Sequence, residues 1–368
     1  MTLLDRHLGL RLIGAMARIL VSLVALVLLV DLLTHRQDNI LQYEVPALVV
    51  ARYYLAFIPT VLIEYQAVAM SVLLGALMVL GRAAQDNEVT AALAGGVGLG
   101  RIARAPIAVA LLSALGLFAF QETRGVRSTQ VSKRIEREYF SKFTPDARAG
   151  ASWANLPDTA DPERTWTCHV AKFNRAAQTG EEVYLYALGE TTLRVIEADR
   201  IFWDPEQAAW LLEGGLSAVF YPTRGMERTV TRITQTHAPF NEPPERLFAL
   251  EQPAETKTAQ TLARDLERAA AMGIPIGRHL VDYHAKFARP ALCFVMIWLA
   301  IPFALRVRRG GVAIGFGVSI VIALVYLLVF YISMGMGRWE MLPPMLAAWL
   351  PNALFLATGA WLFWKTPT

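Results

Sequence analysis

Six stretches of the chain, residues 12–34, 55–80, 102–120, 290–305, 312–334 and 341–364, are almost wholly apolar and approach the length needed to cross a bilayer. A helical span takes about 20 such residues to cover roughly 30 Å of hydrocarbon, and within it the backbone satisfies its own hydrogen bonds. No other feature of the 368 residues restricts the fold as strongly. A hydrophobic content of 55% and a mean hydropathy of +0.37 agree with it. The expectation is an α-helical polytopic membrane protein whose six transmembrane helices fall in two groups of three.

Orientation follows from the basic residues of the short loops, which mark the cytoplasmic side. If the spans alternate, Arg6, Arg11, Arg82, Arg101, Arg104, Arg306, Arg308, Arg309 and Lys365 share one side, and the other has mainly Arg36 and Arg338. Both termini are predicted to be cytoplasmic. The first run is too long for a signal peptide, lacks a small-residue cleavage site and is followed by further spans, so it is expected to be retained.

The polar segment between the third and fourth runs, about 121–289, then falls outside the cytoplasm and is long enough for a domain. Within it, "EEVYLYALG", "TTLRVIEADRIFWD", "AAWLLEGGLSAVFYP" and "MERTVTRITQTH" are rich in β-branched and aromatic residues. Asp204-Pro205, Gly214-Gly215 and Pro222 separate them as turn signals. This spacing predicts an all-β sandwich, jelly roll or barrel. Val183, Leu185 and Ala187 alternate with Tyr184 and Tyr186, which gives the strand two distinct faces. After the strands, "TAQTLARDLERAAAMG" has helical periodicity, with Leu262, Leu266 and Ala269 on one stripe and Gly273 as a stop. The predicted division is 1–124 for a first transmembrane half, 125–255 for the β domain, 256–288 for a connecting helical region and 289–368 for a second transmembrane half.

Between the second and third runs lies "QDNEVTAALAGGV", flanked by Arg82 and Arg101 and predicted to be cytoplasmic. Asp86 or Asn87 can cap a short helix over about 86–96, with Glu88 favoured in its first turn by the exposed amides. Val89, Ala92 and Leu93 share one face, and Gly95-Gly96 ends the helix. A helix this short is marginal alone and needs a surface to dock on. It is either a capped re-entry turn or a coupling helix. On the second reading Glu88 offers its carboxylate to a basic group of a cytoplasmic subunit, while Ala91, Ala92 and Ala94 permit close approach.

Enzymatic chemistry finds little footing. The chain has no GxxxxGK[ST] phosphate loop, and "GGVGLGR" (95–101) lacks both the lysine and a preceding strand. The six histidines are scattered and no His or Cys pair has zinc spacing, so no cofactor and no metal are expected. Cys168 and Cys293 are predicted to be free thiols. What remains is a set of ionisable residues near the outer ends of the spans: Arg36, Glu64 inside the second run, and Lys286 and Arg289 at the start of the fourth. Ionisable groups in such places are functional candidates, with interface anchoring as the plainer reading. Lys286 and Arg289 have the chemistry to meet lipid phosphates.

In order along nearly the whole chain, "LLDRHLG" (3–9), "GRAAQDNEVTAALAGGV", "IEADRIFWD…AAWLLEGG", "YHAKFARPALC", "RRGGVAIGFGVSI" and "LPPMLAAWLPNALF" resemble the LptF/LptG permeases of the lipopolysaccharide export ABC transporter. The resemblance implies an inner-membrane permease with six spans and an inserted all-β jelly-roll-like periplasmic domain. The implied partners are a paralogous permease, a dimeric cytoplasmic ATPase (LptB), a single-span jelly-roll protein similar to LptC, a periplasmic bridge protein similar to LptA, lipopolysaccharide itself and membrane lipids, with no nucleic acid. It implies a coupling role for the segment containing Glu88, Val89, Ala92, Leu93 and Gly95, and a lipid path in which Val183, Leu185 and Phe202 line a groove of the β domain. "LLDRHLG" and "LVDLL" (29–33) look closer to the G-type subunit. Where several G-type proteins carry lysines in or beyond the first span, this chain has Asp31, His35 and Arg36. Competing classes are a membrane-anchored envelope scaffold, which needs no ATPase, and a lipid-modifying enzyme, which needs clustered acid and base residues near one membrane face.

Overall fold

The computed structural model describes residues 3–42, 45–140, 149–161, 164–174, 177–189, 192–221, 227–247, 252–271, 274–306 and 311–365. Pro222, Gly273, Arg308 and Arg309, used above as turn or orientation signals, lie outside the described residues. The chain separates into a helical unit (1–142, 254–259 and 277–368) and a second unit (143–253 and 260–276) that holds the strands.

Among the described residues six helices are long and apolar enough to cross a membrane, and each overlaps one of the six predicted runs. Helix α1 (Leu3–Asp31) continues through a π-turn at Leu32–Arg36 into α2 (Gln37–Gln42). The predicted second span is not one helix. It is α3 (Ala47–Ile63) followed by α4 (Ala67–Gln85), parted at Glu64–Gln66, where Gln66 takes a φ of 57°. The cause is local, since the amides of Tyr65 and Gln66 fold back onto the carbonyls of Thr60 and Ile63 and close off α3. Next come α5 (Glu88–Ala94) and α6 (Leu99–Phe120), which runs through a π-turn at Gln121–Gly125 into α7 (Val126–Ile135). After the strands and the short helices α8 (Pro244–Leu247) and α9 (Ala259–Ala271) come α10 (Gly277–Arg306), α11 (Gly311–Arg338) and α12 (Pro344–Trp364). Helix α10 begins before the predicted 290, because its polar first turns find partners in the bundle: Asp282 accepts from Arg338 at 2.7 Å. Helix α4 is the axis of this unit, with Val72, Leu73 and Ala76 fully buried among α1, α10 and α11.

Prolines inside the helices leave carbonyls four residues upstream without an amide, which in hydrocarbon costs several kcal/mol for each group. The bundle supplies side chains instead. Pro290 frees the Lys286 carbonyl, which accepts from Gln121 Nε2 at 3.3 Å. Pro351 frees the Ala347 carbonyl, which accepts from Ser333 Oγ at 2.7 Å. Near Pro302, the freed Trp298 carbonyl lies against Gly359 of α12, where a Cβ would come within 2.8 Å of the Trp298 backbone. Asn352 completes the junction, donating to the Ala288 carbonyl at 2.7 Å and accepting from Tyr326 at 2.8 Å.

The second unit is a curled antiparallel sheet of the predicted jelly-roll-like kind. Its strands are β1 (Ala149–Pro157), β2 (Thr165–Asn174), β3 (Thr179–Leu188), β4 (Leu193–Asp204), β5 (Ala209–Glu213), β6 (Leu216–Tyr221), β7 (Glu227–Arg232) and β8 (Gln235–His237). Consecutive strands pair from β1 to β5, and β5 and β6 share one edge of the long β4. The Gly214-Gly215 pair, predicted to be a turn, is a break within one strand course: residues on both sides pair with β4. Gly215 has a φ of 116°, and a Cβ there would meet the Glu197 carbonyl at 2.0 Å, so only glycine fits. The break bends the course and lets the sheet close over Val170, Val183, Leu185, Leu212 and Trp210. In α9, Leu262, Leu266 and Ala269 are buried, as their stripe predicts.

Candidate functional site

The α5 segment is a helix of seven residues, and Asn87, with a φ of 58°, occupies its N-cap position. The expected side-chain cap is absent: no side-chain cap hydrogen bond forms, and Asp86 instead ends α4 with its carboxylate 3.8 Å from Arg82 Nε. Gly95 and Gly96 close the helix, Gly96 at a φ of 78°. Val89 is buried in the bundle core, and Ala92 and Leu93 pack on that core from one side, as the spacing predicts. The opposite side presents Thr90, Ala91, Ala94 and Gly95 to the surroundings. Glu88 is partly exposed, and its carboxylate is met within the chain: Arg11 Nη1 donates to both oxygens, at 3.1 and 3.3 Å. Sequence reasoning placed Arg11 on the same side of the membrane but had no means of pairing residues 77 positions apart.

At the other end of the helices the candidate ions are turned inward. Arg36 is enclosed by its own chain: it donates to Glu136 at 2.6 Å and to the Tyr53 hydroxyl at 3.0 Å, and its guanidinium lies over the Tyr53 and Phe140 rings. Asp31 accepts from Tyr54 at 3.2 Å. Glu64 takes Arg289 Nη1 between its two oxygens at 2.8 and 2.7 Å, and both side chains are mostly buried. Lys286 is also buried, and it shares with Thr60, Glu64, Gln121 and Glu255 the lining of a small polar cavity. The Thr60 hydroxyl and Gln121 Oε1 are buried there without hydrogen-bond partners among the described residues. The structure thus brings Glu64, Lys286 and Arg289 into one cluster and places Arg36 in another.

Val183 and Leu185 are fully buried inside the curled sheet, while Tyr184 and Tyr186 point outward. Phe202 is half-buried on β4, in register with Thr179 and Leu211. Cys168 lies in the same interior, and burial pushes its thiol up to about 12; both cysteines are free and buried. Among the described residues no group of three His, Cys, Asp or Glu side chains is placed to hold a metal ion.

Two further features escaped sequence reasoning. Helix α7 buries Val126, Thr129, Ser132 and Ile135, while Arg127 and Arg134, seven residues apart, stand on its exposed side next to Arg124. None of these three arginines has an ion pair among the described residues, and the amphipathic spacing of "GVRSTQVSKRI" was the signal for them. An apolar groove of about 380 Å³ also runs between α1, α4 and α6, lined by Met16, Leu20, Val68, Val109 and Phe120 among others. Compared with known proteins, no curated protein matches the chain. Residues 6–365 match the family described as lipopolysaccharide export system permease LptF/LptG.

Proposed function

The chain belongs to the LptF/LptG family of lipopolysaccharide export permeases, and from that premise we propose that it takes lipopolysaccharide from the outer leaflet of the inner membrane and passes the lipid into its own β unit. On this reading both termini and α5 are cytoplasmic, the strands are periplasmic, and a paralogous permease completes the cavity. "LLDRHLG" and "LVDLL" favour the G-type role, and the first helix departs from it in carrying Asp31, His35 and Arg36 where several G-type proteins have lysines. A dimeric ATPase docks on α5, and β-structured partners similar to the single-span and bridging proteins of such complexes receive the lipid.

The observation that carries the reading is α5 itself. It is fixed to the bundle by Val89 and leads directly from α4, the buried axis, so a push on its exposed Ala91 and Ala94 side moves a core helix rather than a loop. Glu88 then meets a basic group of the ATPase. At the opposite end Arg124, Arg127 and Arg134, with no ion pair among the described residues, offer guanidiniums with the fork geometry that suits phosphates. Long apolar faces of α1 and α11, including Val21, Leu29, Leu324 and Leu328, remain exposed for acyl chains or a second permease. Inside the curled sheet, Val183 and Leu185 belong to the apolar interior over which an acyl chain would pass, and Phe202, on the other face of β4 beside Leu211, is the accessible position next to it.

The test is photocrosslinking to lipopolysaccharide in envelopes, with the probe at Phe202, since Leu185 is too deeply buried to carry one without disturbing the sheet. Adducts that require an active ATPase support lipid passage through this unit. Adducts at Arg127 but never at Phe202 would place the lipid on the bundle and remove the β unit from its path. For the coupling role, Glu88→Gln is expected to lower ATPase docking and export together.

A further inference from the structure

Helix α5 is too short to hold its own orientation, since an isolated helix under about 12 residues is marginal in water. It is also hung on turns at both ends, Asn87 in the left-handed region and Gly95-Gly96 beyond its last residue. Two attachments bear on its orientation. One is the apolar contact of Val89, with Ala92 and Leu93 beside it. The other is the ion pair from Arg11 of α1 to Glu88, the first residue of the helix. The apolar face of Val89, Ala92 and Leu93 seats α5 on the bundle but does not aim the Glu88 side chain. The second attachment, to a different helix, does.

We propose that Arg11 is a positioning residue for α5, aiming the Glu88 carboxylate and sharing it with the basic group of a docked ATPase. The inference rests on the reading of α5 as the coupling helix and adds to it the residue that orients the contact. The geometry allows sharing, because Arg11 approaches with one nitrogen, Nη1, and an ionised carboxylate has about four acceptor sites. Both side chains keep access to solvent, at 46% for Arg11 and 35% for Glu88, so a second cation can reach the carboxylate without displacing the first. Asp86, the other acid of the segment, is already drawn to Arg82.

The experiment uses the full-length permease with its partner permease in nanodiscs, and measures binding of the cytoplasmic ATPase together with ATP hydrolysis. Arg11→Gln is expected to weaken docking about two- to five-fold, the range an exposed ion pair supports. Arg11→Lys recovers most of that loss, and the unfolding midpoint stays where it is in the unaltered protein. The exchange Arg11→Glu with Glu88→Arg restores the internal pair but presents the wrong charge to the ATPase, so it docks no better than Glu88→Arg alone. If Arg11→Gln docks as tightly as the unaltered protein, or more tightly, while Glu88→Gln docks poorly, the positioning role is overturned and the coupling reading stands. If Glu88→Gln docks normally as well, the coupling reading itself falls.

Discussion

Removing the carboxylate of Glu64 is expected to be the most damaging single charge change in the helical unit. Glu64 holds Arg289 through both of its oxygens, at 2.7 and 2.8 Å, with 16% of the Glu64 and 11% of the Arg289 side chain exposed, and Lys286, 3% exposed, lines a cavity with Glu64. Breaking a buried pair by deleting one partner costs about 3–5 kcal/mol, because the other charge is left without compensation. Here the two directions of deletion differ. Glu64→Gln leaves the buried Arg289 without the carboxylate that holds it, and about 3 kcal/mol is expected. Arg289→Gln leaves Glu64 beside Lys286, which takes over part of the role, so the loss falls to about 1–2 kcal/mol. Replacing both at once, Glu64→Leu with Arg289→Met, removes the charges together and should fall within about 1 kcal/mol of the unaltered protein. The assay is the thermal midpoint of the purified permease in one detergent at one scan rate, since unfolding of such a protein is governed by rates. The reasoning is refuted if Arg289→Gln lowers the midpoint more than Glu64→Gln, or if the double replacement is the worst of the three.

At the junction of α10 and α12, Gly359→Ala puts a methyl group 2.8 Å from the Trp298 backbone, which cannot move aside as a side chain would; a loss of about 1–3 kcal/mol is expected in the same midpoint assay. In the β unit, burial works to raise the Asp158 carboxyl, but donation from Trp166 at 2.9 Å and from the Ala160 and Asp161 amides outweighs it and holds the group below the usual carboxylate range. A depressed group stabilises the fold above the ordinary value of about 3.9 and loses that contribution as pH falls through its folded value. Indole fluorescence followed from pH 6 downward should therefore show the β unit weakening only in acid, and Asp158→Asn should flatten that dependence. Cys168, raised to about 12 by burial, should resist maleimide in the folded protein and react once denaturant opens the sheet.

The six spans were legible because a run of apolar residues has one reading in a chain of this length. The break inside the second run was not, since "FIPTVLIEYQAVAMSV" is apolar on both sides of Glu64 and Gln66, and the partner that holds Glu64 lies 225 positions away. In the β unit, strands β3 to β7 followed from their alternation and turn signals. β1 and β2 went unnoticed because "ASWANLP" and "TWTCHVAKFN" are mixed and lie past a proline- and charge-rich stretch. Gly214-Gly215 was seen as punctuation, but a two-glycine turn and a two-glycine break in a strand look alike without the partner strand. Helix α5 was readable from Glu88 to Ala94 since its periodicity and closing glycines are local, whereas Arg11, 77 positions from Glu88, was not. Arg36 and Arg289 looked available to a ligand because charge is visible in sequence, whereas their pairings with Glu136 and Glu64, 100 and 225 positions away, are not.

The carbonyls freed by Pro290 and Pro351 have a bearing on how the chain enters the bilayer. Each is met by a side chain made earlier: Gln121 precedes Lys286, and Ser333 precedes Ala347. A helix released into lipid with an unmet carbonyl would be held at the insertion machinery or wetted by a water defect until a donor arrived. For these two carbonyls the donor is already synthesised when the proline-bearing helix follows, so synthesis in N-to-C order is compatible with meeting each as it enters the bundle. Moving either donor to a later helix would keep the finished bundle unchanged on paper and yet strand its precursor.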